Sequence, residues 1–417
     1  MSFAKLYRCT LCQKTYSIEE QILTCPSCGE KGILDIEYDY DSMKKFVDRI
    51  YFANNQDFTM WRYAPMMTVD LKHIHHMLKI GWTPLYQANR LHHKLGIKAL
   101  YIKDEGLNPS ASLKDRASGV AILKAIEAGY DTVSCSSTGN AASSLACHAA
   151  RMGLKSVIFV PKRAPIGKVN QLSIYGANVI SVDGDYKDTF NLSKEAIDHY
   201  GWYNRNAAIN PHLVEGKKTV ALEIAEQLDF KPTDWVCVSV GDGCTVAGVY
   251  KGFYDLKQLD LIDKIPRILG VQSTGCSPFV DAYINHKPIK EAEENTIADS
   301  ISVGIPRNPV KAQLAIEKSK GAWIAITDVQ ILKSMKKLGS KEGIFGEPAG
   351  VAALAGLEEA IKQGIILKDE TVTVIMTGNG LKDPHNAQKA VKPPVLLKPN
   401  LSDLKLYLKE KGEQKHA

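Results

Sequence analysis

The chain has 417 residues, of which 45% are hydrophobic and 24% are charged, with 31 Gly and 18 Pro. At roughly 100–200 residues per domain, this length predicts two or three domains, and the composition excludes a disordered, collagen-like or coiled-coil chain. Fifty-two basic and 46 acidic residues give a net charge of +6, which is too weak an excess to indicate nucleic-acid binding.

The N-terminal residues MSFAKLYRCTLC contain no apolar stretch of the kind that begins a secretory signal. No later run approaches the roughly 18 uncharged apolar residues of a membrane-spanning helix. We therefore predict a cytoplasmic protein whose partners include neither a membrane nor a nucleic acid.

Four of the nine cysteines form two CxxC pairs near the N-terminus, Cys9 with Cys12 and Cys25 with Cys28. Two such pairs, each near a turn, are typical of a closed tetrahedral zinc site. Two disulfides or four free thiols are the alternatives, and a reducing cytosol disfavours the disulfides. We predict one structural zinc ion, which stabilises a ribbon of about 35 residues that is too small to fold alone.

An acidic and aromatic link, DIEYDYD, follows the ribbon and leads into a segment, up to about residue 80, that we expect to be helical. From Thr83, short apolar runs alternate with alanine-rich stretches. The strand candidates are ALYIKDE, TVSCSS, SVIFVP, NVISVDG, WVCVSVGDG, RILGVQ and TVTVIMTGNG. Continuous apolar strands that alternate with helices predict an α/β fold built on parallel sheets.

Ligands of parallel sheets bind at the carboxyl ends of the strands. Four of the predicted strands end in loops rich in Ser, Thr, Gly or Asn, at residues 134–140, 241–245, 273–277 and 377–380. These loops are therefore the first place to look for a site.

The segment NPSASLKDR, residues 108–116, follows a predicted strand and opens a helix. We expect Pro109 to break the chain and Ser110 or Ser112 to cap the helix. Lys114 then lies at the positive end of the helix, which lowers the pKa of its ε-amine. An ordinary solvated lysine is the alternative to a catalytic one.

Three other loops fit anionic groups. The turn Ser136–Asn140 offers hydroxyls and backbone amides to a carboxylate, although ordinary helix capping explains it equally well. The small residues of Gly241–Thr245 allow backbone amides to approach a phosphate, but the third glycine of a dinucleotide fingerprint is missing. The third loop, TGNG at 377–380, closes the last strand.

In this order, the four segments resemble the fold type II family of pyridoxal-phosphate enzymes, and most closely the threonine synthases. The resemblance covers some 300 residues. It runs through TPLYQANRLHHKLG, IKDEGLNPSASLKDRAS, SSTGNAASS, INPHLVEGKKT, VGDGCTVAGVYKGF, GVQSTGCSP, EGIFGEPAGVAALAG and TGNGLKDP.

The resemblance implies a role for each loop. Lys114 would bind pyridoxal 5'-phosphate covalently and shuttle protons, and Asn140 would hydrogen-bond the 3-oxygen of the cofactor. Thr377 would face the pyridine nitrogen, where a hydroxyl supports a weaker electron sink than a carboxylate does. The cofactor phosphate would be held by Gly241, Asp242, Gly243, Cys244 and Thr245. The substrate carboxylate would be bound by Ser137, Thr138 and Gly139.

Several positions depart from the threonine synthase pattern. Where the family commonly has Asn, Ser and Arg to bind the phosphate of O-phosphohomoserine, this chain has Ala207, Ala208 and Leu213. Ala141 and Thr245 also replace Thr and Asn, and PSASLKDR stands for PTGSFKDR. A dianionic leaving group needs several donors, so we expect a weakened phosphate subsite unless basic residues compensate. The candidates are Lys217, Lys218, Arg205, His212 and Arg307.

Threonine synthase, which converts O-phosphohomoserine and water into threonine and phosphate, is thus the leading function. The alternative is a related enzyme that eliminates or replaces a β- or γ-group on another amino acid, such as an ammonia-lyase, a dehydratase or a cysteate-synthase-like enzyme. A non-catalytic binding protein is disfavoured because Lys114 is retained.

The resemblance also suggests a domain plan. We expect a zinc ribbon at residues 1–38, a large cofactor-binding α/β domain at 39–130 and 206–398, a small α/β domain at 131–205 and a C-terminal tail at 399–417. The expected partners are a small amino-acid substrate and a second copy of the chain in a homodimer.

Overall fold

The computed structural model describes residues 2–411 except Pro165, Asp185 and Ala207. Its strands, in chain order, are β1 Ala4–Cys9, β2 Thr15–Ser17, β3 Thr24–Cys25, β4 Gly29–Tyr38, β5 Leu85–Gln87, β6 Ala99–Asp104, β7 Thr132–Ser136, β8 Lys155–Pro161, β9 Asn178–Val182, β10 Tyr203–Asn204, β11 Trp235–Ser239, β12 Arg267–Ser273, β13 Ala322–Ile326 and β14 Thr371–Met376.

The α-helices are α1 Tyr40–Met43, α2 Arg49–Asn54, α3 Asn89–Leu95, α4 Lys114–Glu127, α5 Asn140–Met152, α6 Ile166–Ile174, α7 Tyr186–Tyr200, α8 His212–Gln227, α9 Cys244–Gln258, α10 Pro278–Asn285, α11 Pro309–Lys318, α12 Asp328–Glu342, α13 Pro348–Lys362, α14 Pro384–Gln388 and α15 Leu401–Glu410. Short 3-10 helices lie at Ile18–Glu20, Met60–Met66, Leu71–His76, Glu105–Leu107, Asp299–Ile301 and Gly380–Lys382.

The described strands form two sheets of four strands and one of six. The N-terminal sheet is antiparallel, in the order β2-β1-β4-β3. The second sheet is parallel, in the order β10-β7-β8-β9, and the third has the order β13-β12-β11-β14-β6-β5. In the third sheet β5 runs antiparallel to β6, while the other pairs are parallel. The α/β fold with parallel sheets is confirmed, with β5 as an exception.

Helix α4, which begins at Lys114, is buried on nearly every side. It packs against α5, which follows a strand of the second sheet, and against α8, which precedes β11 of the third sheet. A helix that is enclosed in this way has small or apolar residues all round, as Ala117, Val120 and Ala121 illustrate. Lys114 is therefore carried on a helix that is packed on most of its sides.

A fully buried ion network fixes α4 in place. The Arg116 guanidinium donates to both carboxylates of Glu105 and Glu223 at 2.6–2.7 Å. Lys103 Nζ donates to Glu223 at 2.7 Å. The network joins β6, α4 and α8, so the first turn of α4 has a defined position relative to both neighbours.

Several expectations for the fold need correction. The segment up to residue 80 contains only the short helices α1 and α2 and two 3-10 helices, one of which includes Pro65, a residue that disfavours the interior of an α-helix. Strand β13, AWIAI, was not predicted. The described part of the C-terminal tail forms the largely exposed helix α15. Among the described residues, no helix combines the length and the apolar character that crossing a membrane requires.

Candidate active site

A cavity of about 530 Å³ opens at the carboxyl ends of β7, β11 and β14. Every residue to which the sequence assigned a cofactor or substrate role lies on its wall. These residues are Lys114, Ser137, Thr138, Gly139, Asn140, Gly241, Asp242, Gly243, Cys244, Thr245 and Thr377. Four loops that are far apart in the sequence are thus brought together, while the loop at 273–277 lines a different cavity.

Lys114 is the first residue of α4, as predicted, but neither serine caps the helix. The residue before it, Leu113, already has helical backbone angles, and no side chain caps that end. The Ser110 and Ser112 hydroxyls are buried and have no hydrogen-bond partner among the described residues. Instead, the Asp115 carboxylate, inside the first turn, accepts a hydrogen bond from the Ser110 amide at 2.8 Å.

The environment of Lys114 favours its neutral amine. Burial and, to a smaller extent, the positive charge of Lys217 lower the pKa of Lys114 to about 8, while the carboxylate of Glu347 acts in the opposite direction. The sequence argument relied on the helix end alone. In the folded protein, burial and a neighbouring cation are the main causes.

Thr377 and the Lys114 loop support each other. The Leu113 amide donates to the Thr377 carbonyl at 2.9 Å, and Ser112 and Gly378 form an isolated antiparallel bridge. The end of β14 therefore lies directly against the chain that leads into α4.

The turn at 136–140 connects β7 to α5. The Ser137 hydroxyl accepts a hydrogen bond from the Gly139 amide at 3.1 Å. Gly139 occupies the N-cap position of α5, where no side chain caps the helix. The amides of this helix end are therefore available to an anionic group.

Glu347 is a site residue that the sequence reasoning missed. It precedes Pro348 at the start of α13, and its Oε1 accepts a hydrogen bond from Asn140 Nδ2 at 2.8 Å. Burial raises the pKa of Glu347 to about 7, although Lys382 and Lys114 lower it. A side chain at Gly378 would collide with the Glu347 carboxylate, so this glycine is needed for close approach.

The loop at 241–245 leaves β11 and enters α9. Gly243 has a φ of +88°, and a Cβ there would lie 2.7 Å from the Asn308 carbonyl oxygen. Among the described residues, the amides of Gly241, Asp242 and Gly243 have no hydrogen-bond partner. Together with the first turn of α9, they form a cradle for an anion the size of phosphate.

Basic side chains also reach the cavity. Arg205 and Lys217 both line it and are at most 2% exposed. No carboxylate among the described residues lies within salt-bridge distance of either, although Arg205 donates to the Ser118 hydroxyl at 3.1 Å. Burial lowers the pKa of both groups. Arg307 also lies on the wall, with its guanidinium 3.8 Å from the Phe190 ring centroid.

The other two basic candidates point elsewhere. Lys218 binds the buried carboxylates of Glu215 and Asp255. The His212 ring lies between the hydroxyls of Tyr7, at 3.1 Å, and Thr68, at 2.8 Å. Neither residue can serve the cavity.

Most of the departures from the family pattern can also be located. Ala208 and Leu213 are buried outside the cavity wall and supply no side-chain donor, whereas Ala141 and Thr245 line the cavity. Ala207 lies outside the described residues. Of the basic candidates, Arg205, Lys217 and Arg307 line the cavity.

The four N-terminal cysteines form a second candidate site. Their sulfur atoms all lie within 4.8 Å of one another. Gly32 lies so close that a Cβ there would be 2.5 Å and 2.7 Å from the Cβ atoms of Cys25 and Cys28. The Tyr16 hydroxyl lies 3.1 Å from Cys25 Sγ. Four sulfur atoms at this spacing fit a tetrahedral metal ion.

Comparison with known proteins relates the chain to one family. The model of the family described as "Pyridoxal-phosphate dependent enzyme" matches residues 76–378. The threonine synthase of Methanocaldococcus jannaschii is 40% identical over 410 residues, which cover 97% of this chain and 100% of that protein. The threonine synthase of Methanosarcina acetivorans is 38% identical over 401 residues, or 95% and 97% of the two chains.

Solved structures agree with the fold. Holo diaminopropionate ammonia lyase from Escherichia coli has a TM-score of 0.66 at 19% identity, covering 83% of this chain and 95% of that one. Threonine deaminase isoform 2 from Solanum lycopersicum has a TM-score of 0.64 at 21% identity, covering 75% and 88%. At such identities the likeness concerns the fold alone.

Proposed function

Because this chain belongs to the pyridoxal-phosphate dependent enzymes and, among them, to the threonine synthases, we propose that it converts O-phosphohomoserine and water into threonine and phosphate. The observation that carries the proposal is a pair of buried cations, Arg205 and Lys217, which line the same cavity as Lys114. Neither has a carboxylate partner within the part of the chain that the structure describes. Buried charges without a partner are costly. A dianionic phosphate would offset that cost.

The residues of the cavity fit the cofactor. The amides of Gly241, Asp242 and Gly243, which have no hydrogen-bond partner among the described residues, suit its phosphate. Lys114 offers an amine, and the side-chain amide of Asn140 would donate to its 3-oxygen. When bound, pyridoxal phosphate supplies an electron sink that stabilises negative charge on the substrate's α-carbon. Thr377 would face the pyridine nitrogen with a hydroxyl, as the resemblance implies.

The remaining steps fall to side chains of this chain. With a pKa near 8, Lys114 Nζ is partly neutral at physiological pH and is able to take and return protons. Ser137, Thr138 and the Gly139 amide would bind the substrate carboxylate at the start of α5. Arg205 and Lys217 would hold the phosphate as it leaves, which neutralises charge that develops in the transition state.

Phosphate binding provides the test. Lys217→Met keeps the length of the side chain but removes its charge. A charge-assisted hydrogen bond contributes about 1.5–3 kcal/mol, so we expect inhibition by inorganic phosphate to weaken about 10- to 150-fold. The KM for O-phosphohomoserine should rise, while the KM for O-acetylhomoserine, which lacks the phosphate, should change little.

The wild-type reaction decides between the two functions. Release of phosphate and threonine from O-phosphohomoserine supports the proposal. If the enzyme releases no phosphate from it but turns over another amino acid, the chain is an eliminating or replacing enzyme of the same family. Lys114→Ala should abolish turnover and the borohydride-reducible cofactor adduct, and an adduct at another lysine would contradict the assignment.

We further propose that Cys9, Cys12, Cys25 and Cys28 hold one structural zinc ion, a proposal supported by the closeness of their sulfur atoms. Metal analysis of the untagged protein should find about one zinc per chain, since four thiolates complete a tetrahedral shell. Cys25→Ser should release it. A folded N-terminus without metal would contradict the proposal.

The domain plan is likewise proposed, since the parallel second sheet contains only strands between residues 132 and 204. Limited proteolysis near residues 130 and 205 would test it. The homodimer and the cytoplasmic location stay predictions, to be tested by size-exclusion chromatography and cell fractionation.

A further inference from the structure

Strand β4 of the cysteine ribbon reaches the loop at 241–245 from outside the cavity. Ile33 is only 6% exposed and forms a separate buried cluster with Ala208, Val214 and Cys244. Val214 belongs to α8, the helix of Lys217, and Cys244 is the first residue of α9. One ribbon side chain thus belongs to a small buried cluster that also contains a residue of the loop and a residue of the helix that carries a cavity cation.

A second contact from β4 reaches the other side of the loop. Asp35 Oδ1 accepts a hydrogen bond from Lys311 Nζ of α11 at 2.7 Å. The N-cap residue of α11, Asn308, donates its amide to the Asp242 carbonyl at 3.0 Å. A Cβ at Gly243 would lie 2.8 Å from Ala312 Cβ of the same helix. Asp35 therefore holds the helix against which the loop rests.

The two contacts lie on one face of the strand, and the backbone near them is held by the segments that carry the cysteine pairs. Positions i and i+2 of a strand point the same way, whereas Leu34 and Ile36 belong to the main hydrophobic core. The Ile33 carbonyl accepts hydrogen bonds from the amide and hydroxyl of Thr10, both at 2.9 Å, next to Cys9. Gly32, one residue before Ile33, lies against Cys25 and Cys28.

We propose that Ile33 and Asp35 are positioning residues that hold the loop at 241–245 in the shape that binds the cofactor phosphate, and that the four-cysteine site keeps them in place. The inference rests on the proposed location of that phosphate. The ribbon then contributes to cofactor affinity although none of its described residues lies in the cavity wall.

The test compares pyridoxal phosphate with pyridoxal, which lacks the phosphate. Dissociation constants of both are measured on the apoenzyme by fluorescence titration. The Kd of pyridoxal divided by the Kd of pyridoxal phosphate reports the contribution of the phosphate, and this quotient is called the ratio below. Both ligands bind the same folded fraction, so partial unfolding of a variant cancels in the ratio. Coupling between contacting residues predicts that Ile33→Ala and Asp35→Asn each reduce the ratio about fivefold or more.

Ile36→Ala is the matched control, since it removes the same side chain from the same strand but from the opposite face. It should leave the ratio within about twofold of the wild-type value while it lowers stability by the cost of a core truncation. Ile33→Val, which removes one methyl group, replaces Ile33→Ala if that variant does not fold. Cys25→Ser should reduce the ratio as Ile33→Ala does.

Gly243→Ala tests the location of the cofactor phosphate separately from the roles of Ile33 and Asp35. It should reduce the ratio strongly because the added Cβ meets the Asn308 carbonyl. An unchanged ratio in Gly243→Ala overturns the location of the phosphate and, with it, the inference. If Gly243→Ala reduces the ratio but Ile33→Ala and Asp35→Asn leave it unchanged, the inference alone is overturned. The inference is also overturned if Ile36→Ala reduces the ratio as much as Ile33→Ala does.

Discussion

The pKa of Lys114 should control how fast the apoenzyme attaches its cofactor, because only a neutral amine attacks the aldehyde. Burial, with the charge of Lys217, lowers that pKa from 10.5 to about 8. At pH 7 about one amine in ten is then neutral, compared with roughly three in 10,000 for an ordinary lysine. We expect attachment at pH 7 to be about 300-fold faster than at a solvated lysine of equal nucleophilicity, with a midpoint near pH 8.

Two variants should move this midpoint in opposite directions. Lys217→Met removes a positive neighbour, which raises the pKa of Lys114 and slows attachment at pH 7. Glu347→Gln removes a negative neighbour, which lowers the pKa of Lys114. Since the pKa of Glu347 is about 7, the second effect should be full above pH 8 and fade below pH 6, where the native carboxyl is protonated and as neutral as the glutamine amide.

The assay is stopped-flow absorbance of the attached cofactor between pH 6 and pH 10, with apoenzyme in excess. Lys194→Met serves as the control, because Lys194 lies on α7 and binds Glu30, outside the cavity. Its profile should match that of the native protein. Midpoints that move in the same direction in Lys217→Met and Glu347→Gln would refute this account of Lys114.

Three further predictions concern stability, each measured by urea denaturation. Burial lowers the pKa of His212 to about 3, so the folded ring stays neutral while the unfolded ring gains a proton below pH 6.5. His212 should therefore contribute a loss of about 2 kcal/mol between pH 7 and pH 5, measured as the difference in pH dependence between the native protein and His212→Gln, and an equal pH dependence in the two proteins would contradict this. Ala111 has a φ of +65°, so Ala111→Gly should stabilise by about 0.5–1 kcal/mol, and any destabilisation counts against this. Arg116→Met leaves Glu105 and Glu223 without their main partner and should cost about 3–5 kcal/mol; a loss below 1 kcal/mol would contradict a buried network.

Much of the site follows from the sequence because parallel sheets collect the carboxyl ends of their strands at one edge. The loops at Lys114, Asn140, Gly243 and Thr377 meet for this reason, and the family match confirms the resemblance that they suggested. The alternation of apolar strands and helices is a local property of the sequence, so the strands and the loops at their ends could be predicted without coordinates.

Burial of charged groups could not be predicted in the same way, because it depends on distant neighbours. Lys217 and Lys218 are adjacent on α8, yet one faces the cavity and the other binds buried carboxylates. Glu347 resembled an ordinary acid at a helix start, although its place before Pro348, in a small-residue helix, is a signal that could have raised interest. The prediction that Ser110 caps α4 was wrong: the contact between this residue and the first turn is a hydrogen bond from the Ser110 backbone amide to the Asp115 carboxylate.

The order of strands in the larger sheet has a consequence for biosynthesis. Strand β6, with the fully buried Leu100 and Ile102, pairs with β14, whose last residue is Met376. At 5–20 residues per second, a ribosome needs roughly 15–50 s to make the chain between them. During that time β6 lacks the partner that covers one of its edges, whereas all strands of the β7–β10 sheet have been made once residue 204 is reached. A nascent chain of this protein therefore presents an apolar strand to chaperones for much of its translation, and Lys114 acquires its surroundings only after the codon for Thr377 has been read.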